Sequence, residues 1–448
     1  MRRRSLALLR PALAGFALVL SACSGGSDGE GGSGGSPAGG APMGNAGAPS
    51  GGTDAFGGSG SGGGPLQAGS GGTGTAGNAS GGSAAGGAAT GGSTASGGTT
   101  GGAAMGGAAT GGGPTAGSGG SAGSTTGSAG KLVGFATLNG GTKGGLGGQT
   151  VTARTFAELK SYAESAAAQT ILVEGTISNG ANGGKISVKS NKSIVGVGND
   201  AFLNGVGLEI ANSNNIIVQN LRISLVGITT RTDTPSVYTS SGDGGLPKIL
   251  VNDGDAISIS GTSKNIWIDH CELFAENPDT QTNKDLYDGL IDIKGQTGFI
   301  TISWNYLHDH HKGGLVGASD TDLFADRKVT LHHNHYERVK LRVPMYRGAV
   351  GHFFNNYVVG ATDASEIRAG TCLRLEKNYY EALHYSIYTP ADSPGSTERI
   401  DNIEVSRTAR AYPSNCAADI PYVYSDVLTG TTADVKTVVP QSAGVGKL

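Results

Sequence analysis

One phrase recurs six times between residues 216 and 380: apolar, any, apolar, two polar or variable residues, a stacking position, any, then apolar. The copies run Ile216 to Ile223, Ile266 to Leu273, Ile300 to Leu307, Val329 to Tyr336, Val350 to Tyr357 and Leu373 to Tyr380. Their stacking positions are Leu221, Cys271, Asn305, Asn334, Asn355 and Asn378, the last three steps being 29, 21 and 23 residues. No single short strand can bury its apolar face alone, so a repeat of roughly 20–25 residues built from strands and turns has to stack on its neighbours as a solenoid. The alternation is that of strands, with nothing helical between copies, which favours an all-β parallel β-helix over a leucine-rich repeat or a sandwich. Asparagines at equivalent turns would then form a ladder of side-chain amides.

Before the repeat, Thr155-Phe156-Ala157-Glu158 is a capping box that opens an amphipathic N-terminal capping helix running to about Ala168, with Phe156, Leu159, Tyr162, Ala163 and Ala166 on one face. Short strands follow at Ile171–Val173, Ile186–Val188 and Ile194–Val197. The long insertions 224–252 and 274–287 read as loops leaving one side of the solenoid, where such loops form a groove.

The first 130 residues have another character. Arg2, Arg3, Arg4 and Arg10 precede an apolar run from Leu13 to Leu20, as in a secretory signal peptide (residues 1–22), and Leu20-Ser21-Ala22-Cys23 resembles a bacterial lipobox whose Cys23 is lipidated. That run is too short to span a bilayer, so the expected membrane attachment is by lipid alone. Residues 23–130 are nearly all Gly, Ser, Ala and Thr, without Lys or Arg, and cannot bury enough apolar surface to offset their chain entropy. They read as a tether of ~55–60 Å. Secretion follows from this reading, with an outer-membrane or cell-surface lipoprotein as the expected location; Ser24 after the Cys is compatible with outer-membrane sorting.

The folded unit is therefore 131–448. The chain's formal charge is −3, and setting aside the four leader arginines and Asp28, Glu30 and Asp54 leaves this unit at −4, which is no nucleic-acid binder's balance. Any grip on an anion has to come from local cations. Such cations follow two acidic clusters in order: Asp253-Gly254-Asp255, then Asp288 and Asp292, then Lys312, then Arg342-Val343-Pro344-Met345-Tyr346-Arg347. Period-two geometry sends Asp253 and Asp255 to one face, and Asp292 outward between inward Ile291 and Ile293. Carboxylates on adjacent rungs would make an all-oxygen pocket suited to a hard cation such as Ca²⁺, and Lys294 would be a charge partner on the same face.

Trp267-Ile268-Asp269-His270, Asp288-Gly-Leu-Ile-Asp292-Ile-Lys294 and Arg342 to Arg347 resemble the signature blocks of polysaccharide lyase family 1, the pectate lyases. Gly134–Thr137 and Ala443–Leu448 resemble that family's domain ends, so the likeness spans essentially all of 131–448. It implies a right-handed parallel β-helix that cleaves a polygalacturonate chain by β-elimination with Ca²⁺; a monomer is the expected state. It assigns Asp253, Asp255, Asp288 and Asp292 to the metal, Arg342 to the base, and Lys312 and Arg347 to the substrate's carboxylates or sugar oxygens. Position 288 is Glu in part of the family, and the shorter Asp would reach the ion through water. The calcium acids favour an unesterified substrate, since the methyl-ester-specific pectin lyases lack them. A guanidinium ordinarily keeps its proton, so a base at Arg342 needs surrounding positive charge and implies activity rising at alkaline pH; a purely electrostatic Arg342 is the alternative.

Trp267, Asp269 and His270 read as a supporting network. All nine histidines fall between 270 and 384, mostly within the strand phrase, where stacking accounts for them better than a metal does. Of Cys271, Cys372 and Cys416, the first lies in an apolar strand pattern as a buried thiol, leaving Cys372–Cys416 as the disulfide candidate. The rival functions are a pectin lyase, a hydrolytic polygalacturonase and a lipid-anchored pectin-binding β-helix without catalysis.

Overall fold

In the computed structural model, residues 130–448 are described, apart from 233–235, 383, 406–407 and 409–411. The signal peptide, Cys23 and the tether lie outside the described residues. The rest is a parallel β-helix. One sheet of 11 strands runs from Gln149–Ala153 to Ser414–Asn415, a second parallel network has 17 strands, and Tyr238–Thr239 pairs antiparallel with Lys248–Ile249 in the first insertion. That network is two side-by-side columns of strands; the one through Val206–Ala211, Ile257–Ser260, Ile291–Ile293, Leu315–Val316 and Met345–Tyr346 carries the site described below.

The interior shows why the repeat stacks. Ile171, Ile194, Val218, Ile268, Ile302, Leu331, Phe353 and Leu375 occupy one register position on successive rungs, and all are buried. Each such side chain contributes roughly 1.5–3 kcal/mol when removed from water. Beside this stack runs the amide ladder. Asn305 donates its Nδ2 to Asn334 Oδ1 (2.9 Å), Asn334 to Asn356 (3.0 Å), Asn356 to Asn378 (3.1 Å) and Asn378 to Asn402 (2.9 Å).

The ladder thus passes through Asn356, not Asn355, and extends to Asn402. Val329 pairs with Gly351, so that copy of the phrase begins one residue later than its apolar pattern suggests. A slip of one residue exchanges the two faces of a strand. Asn355 instead accepts from Thr429 N and donates to Lys377 O, outside the ladder.

The capping helix is shorter than expected, Phe156–Ala163, with the Thr155/Glu158 capping box formed. Only Leu159 and Ala163 on it are buried. It ends there because the carbonyls that would extend it are taken: Ser165 Oγ donates to Tyr162 O, Lys189 N to Ala163 O, and Lys192 Nζ to Ser165 O and Ala167 O. The two insertions pack on each other. Leu225, Ile228, Val237, Tyr238 and Ile249 from the first pack with Leu286 and Tyr287 from the second in a small apolar cluster of their own. Cys372 and Cys416 are disulfide-bonded, with Cα atoms 6.0 Å apart, and Cys271 is a buried free thiol.

Removing a ladder amide leaves buried backbone and side-chain donors unpaired. Asn356→Ala should therefore lower stability by about 2–4 kcal/mol, measured by the denaturant midpoint; a loss below about 1 kcal/mol would show that the ladder contributes little.

Candidate active site

Asp255, Asp288 and Asp292 converge on the strand column through Ile257–Ser260 and Ile291–Ile293, each offering a carboxylate oxygen within 4.8 Å of the others. The strands place them: Ser258 pairs with Asp292 across the two rungs, and Asp255 precedes the first strand. Glycine makes the approach possible. A Cβ at Gly289 would lie 2.1 Å from Asp292 Oδ1 and 3.3 Å from Asp255 Oδ1.

Asp255 and Asp292 have no solvent exposure at all. Asp255 accepts from Gly289 N (2.9 Å), and Asp292 from Leu315 N (3.1 Å). Lys294 Nζ stands 3.1 Å from Asp255 and 3.3 Å from Asp292 as the charge partner of both. The ion pair is all that meets Asp292 Oδ2, which has no hydrogen-bond partner.

Burial, then the charge of Asp292, pushes the Asp255 carboxyl well above the usual carboxylate range. Asp292 is raised in the same way, by burial and then by Asp288. Burial also opposes ionisation of Asp288, but Lys312 and Arg342 outweigh it and lower its pKa. Burial likewise disfavours the Lys294 ammonium, yet the neighbouring Asp255 and Asp292 more than compensate and raise its pKa. One lysine cannot hold two dry carboxylates ionised, so the second is met either by a proton or by a bound cation. The donor set is all oxygen, and with the orphaned Asp292 Oδ2 it fits a hard divalent cation such as Ca²⁺.

Asp253 does not join this cluster. Val251–Gly254 forms a 3₁₀ turn with Asn252 and Asp253 at φ of 52° and 58°, so the strand alternation that would align Asp253 with Asp255 has not yet begun. The Asn252 amide fixes the turn by donating to Asp255 O at 2.7 Å. Asp253 is exposed and lines a cleft of about 270 Å³ with Ser241, Lys248, Asp285, Asp288 and Lys312. Asp292 alternates with Ile291 and Ile293, which lie in the core, so its side chain takes the opposite face; there it is enclosed rather than exposed.

Across the cleft, Lys312 ends the strand Tyr306–Lys312 and pairs with Leu341 one rung on, which brings Arg342 beside it. Lys312 Nζ contacts Asp285 Oδ1 at 2.7 Å and Asp288 Oδ1 at 3.1 Å, and Arg342 Nη1 approaches Asp288 Oδ1 at 3.5 Å. Arg342 has φ 61°, a left-handed conformation that a long side chain adopts only when its surroundings impose it. Sequence reasoning missed Asp285, since it sits in an insertion and belongs to no motif. Arg347 lies farther along the solenoid, nearly buried, donating Nε to Asp320 (2.6 Å) and Nη1 to Gly317 O (3.0 Å). Asp320 also had no signal in the sequence.

Trp267, Asp269 and His270 do form a network, but on the 11-stranded sheet, away from the acids. Asp269 accepts from Ser303 Oγ (2.5 Å) and Gln219 Nε2 (3.0 Å) and meets the His270 ring at 2.7 Å, while Trp267 Nε1 donates to Ser303 Oγ at 2.8 Å. The same face seats Gly134–Thr137, where Phe135 N and Ala136 N donate to Thr330 and Thr301. These residues support the fold. Among the described residues, no histidines gather as metal ligands; their rings stack, as His333 does on Trp304 at 4.1 Å and His308 on Tyr306 at 4.2 Å.

The family model for pectate lyases matches residues 73–448. The chain belongs to the pectate lyase family. As a member it is a polysaccharide lyase. It is 40% identical over 314 residues to a pectate trisaccharide-lyase of Bacillus licheniformis, covering 68% of this chain and 83% of that one. Pectate lyase A of Aspergillus niger is 33% identical over 293 residues, covering 65% and 80%. A pectate lyase from Bacillus sp. N165, solved in complex with trigalacturonate, superposes with a TM-score of 0.58 at 30% identity, covering 71% of this chain and 99% of that one. Pectate lyase C of Erwinia chrysanthemi, solved with Ca²⁺, shares the fold at a TM-score of 0.56 and 24% identity, covering 71% and 97%.

Lys294 is the single cation between two buried carboxylates. Lys294→Met should destabilise the metal-free protein by about 3 kcal/mol, since removing one partner strands the other charges. Thermal unfolding in chelator would show it, and an unchanged midpoint would mean that Asp255 and Asp292 are not both ionised.

Proposed function

We propose that this pectate lyase cleaves α-1,4-linked polygalacturonate by β-elimination at a Ca²⁺ site made by Asp255, Asp288 and Asp292, releasing unsaturated oligogalacturonides. One observation carries the reading: three carboxylates close enough to share a cation face Lys312 and Arg342 on the neighbouring rungs. The trigalacturonate complex of the Bacillus relative supports the substrate class.

Elimination begins with loss of the proton at C5 of a uronate, which is only weakly acidic. A bound Ca²⁺ would draw charge from the adjoining carboxylate and so acidify that proton. Lys312 adds fixed positive charge at the same carboxylate, held in place by Asp285 and Asp288 before substrate arrives. A guanidine nitrogen of Arg342 accepts the C5 proton. The electron pair left behind becomes the C4–C5 double bond, the C4–O bond breaks, and the departing oxygen is protonated by solvent. Asp253, on the cleft wall but outside the compact acid cluster, acts on the ion or substrate only from the rim. Hydrolysis by paired carboxylates is the poorer reading, because here the acids share one locus rather than flanking a bond.

We further propose that the chain is secreted and held at the cell surface by lipid on Cys23, with the Gly/Ser-rich segment as tether. The basic start, short apolar run and Leu-Ser-Ala-Cys sequence support this. Cys23→Ser should release the enzyme into the medium; continued membrane association would contradict lipidation.

Polygalacturonate with calcium should yield product with the ultraviolet absorbance of a conjugated uronate, and excess chelator should abolish it. Arg342→Lys should cut turnover at least about 10²-fold with folding intact. Full activity in chelator, or reducing ends without the double bond, would contradict the proposal.

A further inference from the structure

The acid cluster continues along the solenoid as a line of cations. Ile293, Val316, Tyr346 and Ile367 share one register position on successive rungs. The residues that follow them are Lys294, Gly317, Arg347 and Arg368. Gly317 N donates to Ile293 O, Arg347 N to Val316 O and Arg368 N to Tyr346 O, each at 2.8 Å, so the stacking holds at this corner too. With about 4.8 Å per rung, Arg347 stands ~10 Å from the Lys294 rung, and Arg368 one rung beyond. The glycine between is required: a Cβ at Gly317 (φ 91°) would lie 2.8 Å from Arg347 Cβ and 3.0 Å from Arg327 Nη1.

Both arginines point at one carboxylate. Asp320 accepts Arg347 Nε on Oδ1 (2.6 Å), and Arg368 Nε and Nη2 on Oδ1 and Oδ2 (both 2.9 Å). Arg368 Nη1 donates to Glu366 at 2.7 Å, and Asp392 lies 3.9 Å away. The loop carrying Asp320 is pinned as well: Asp322 accepts from Gly295 N (3.0 Å), Ala318 N (2.8 Å) and the buried Arg327 (2.6 Å). Hydrogen bonds from Arg368, then Arg347, hold the Asp320 carboxyl well below the usual carboxylate range, so it stays charged.

The two ends of this line therefore differ in charge. At Lys294, two buried carboxylates face one cation. At Arg347 and Arg368, two guanidiniums already face the carboxylates of Asp320 and Glu366, and the local charge is met from within. Arg347 spends Nε on Asp320 and Nη1 on Gly317 O, while its Nη2 hydrogens take part in neither bond. A neutralised guanidinium still donates hydrogen bonds. A uronate carbonyl accepts them whether the group is a free acid or a methyl ester, whereas an uncompensated cation would favour the free acid.

We propose that Asp320 is a specificity-determining residue that makes the Arg347–Arg368 end of the groove accept a methyl-esterified galacturonate, while the uronate being cleaved stays unesterified. Resting on the proposed elimination, the inference extends it to the substrate class, which becomes a partly esterified pectin.

The test compares wild type with Asp320→Asn and Asp320→Glu on polygalacturonate and on pectin of intermediate, random esterification. The asparagine variant uncovers positive charge, so its ratio of kcat/KM on pectin to kcat/KM on polygalacturonate should fall about two- to fivefold, the scale of an exposed ion pair. The difference should lie mainly in KM, shrink with added salt, and be reversed by Asp320→Glu. A merely structural role would lower both activities together and leave the ratio unchanged, which overturns the proposal. Should the variants fail to fold, mass spectrometry of wild-type products decides alone. Esters should then be enriched at one fixed position away from the cut, and their exclusion from every position near it overturns the inference. Wild type that yields no unsaturated product from polygalacturonate would overturn the elimination chemistry instead.

Discussion

In-register parallel stacking governs this molecule. Each rung sets its residues about 4.8 Å above their counterparts, so a side chain must tolerate a copy of its own position as a close neighbour. Aliphatic residues tolerate it by packing and asparagines by passing an amide hydrogen bond from rung to rung. Carboxylates brought close in a dry site do not, and Asp255 and Asp292, on adjacent rungs though Asp292 registers with Ser258, are both buried and both pushed above the usual carboxylate range. Lys294 offsets part of that conflict. The remainder is what a divalent cation would relieve.

The same constraint explains how the cations are delivered. Lys312 and Arg342 are thirty residues apart in sequence but sit on neighbouring rungs because Lys312 pairs with Leu341. Both are held by carboxylates before substrate arrives, Lys312 by Asp285 and Asp288, Arg342 by Asp288. Such preorganisation avoids reordering long side chains at the moment of reaction. Asp288, only partly enclosed, is shared between the acid cluster and the cations Lys312 and Arg342.

Much of this was legible from the chain because the repeat period is physical. Strand alternation gave the solenoid, and the acids and cations spaced along it gave the order of the site. Legibility ended where alternation stops. Asp253 sits on a 3₁₀ turn ahead of its strand, so counting by twos misplaced it. The amide ladder was read one residue early at Asn355, because Val350 mimics the first apolar position that Gly351 occupies. Asp285 and Asp320 come from loops with no period; only folding shows that they hold Lys312, Arg347 and Arg368. The Trp267–His270 block, in contrast, carried a strong family resemblance yet lies on the other sheet, where it supports the seat of the N-terminal segment.

The central claim is that Asp255, Asp288 and Asp292 act together as a cation site. Calorimetric titration of Ca²⁺ into the chelator-stripped enzyme tests it most directly. Saturable binding should appear in the wild type and weaken at least about tenfold in Asp292→Asn, which keeps the shape and removes one charge from the donor set. Equal affinity in the two proteins, or no binding in the wild type, would contradict the account.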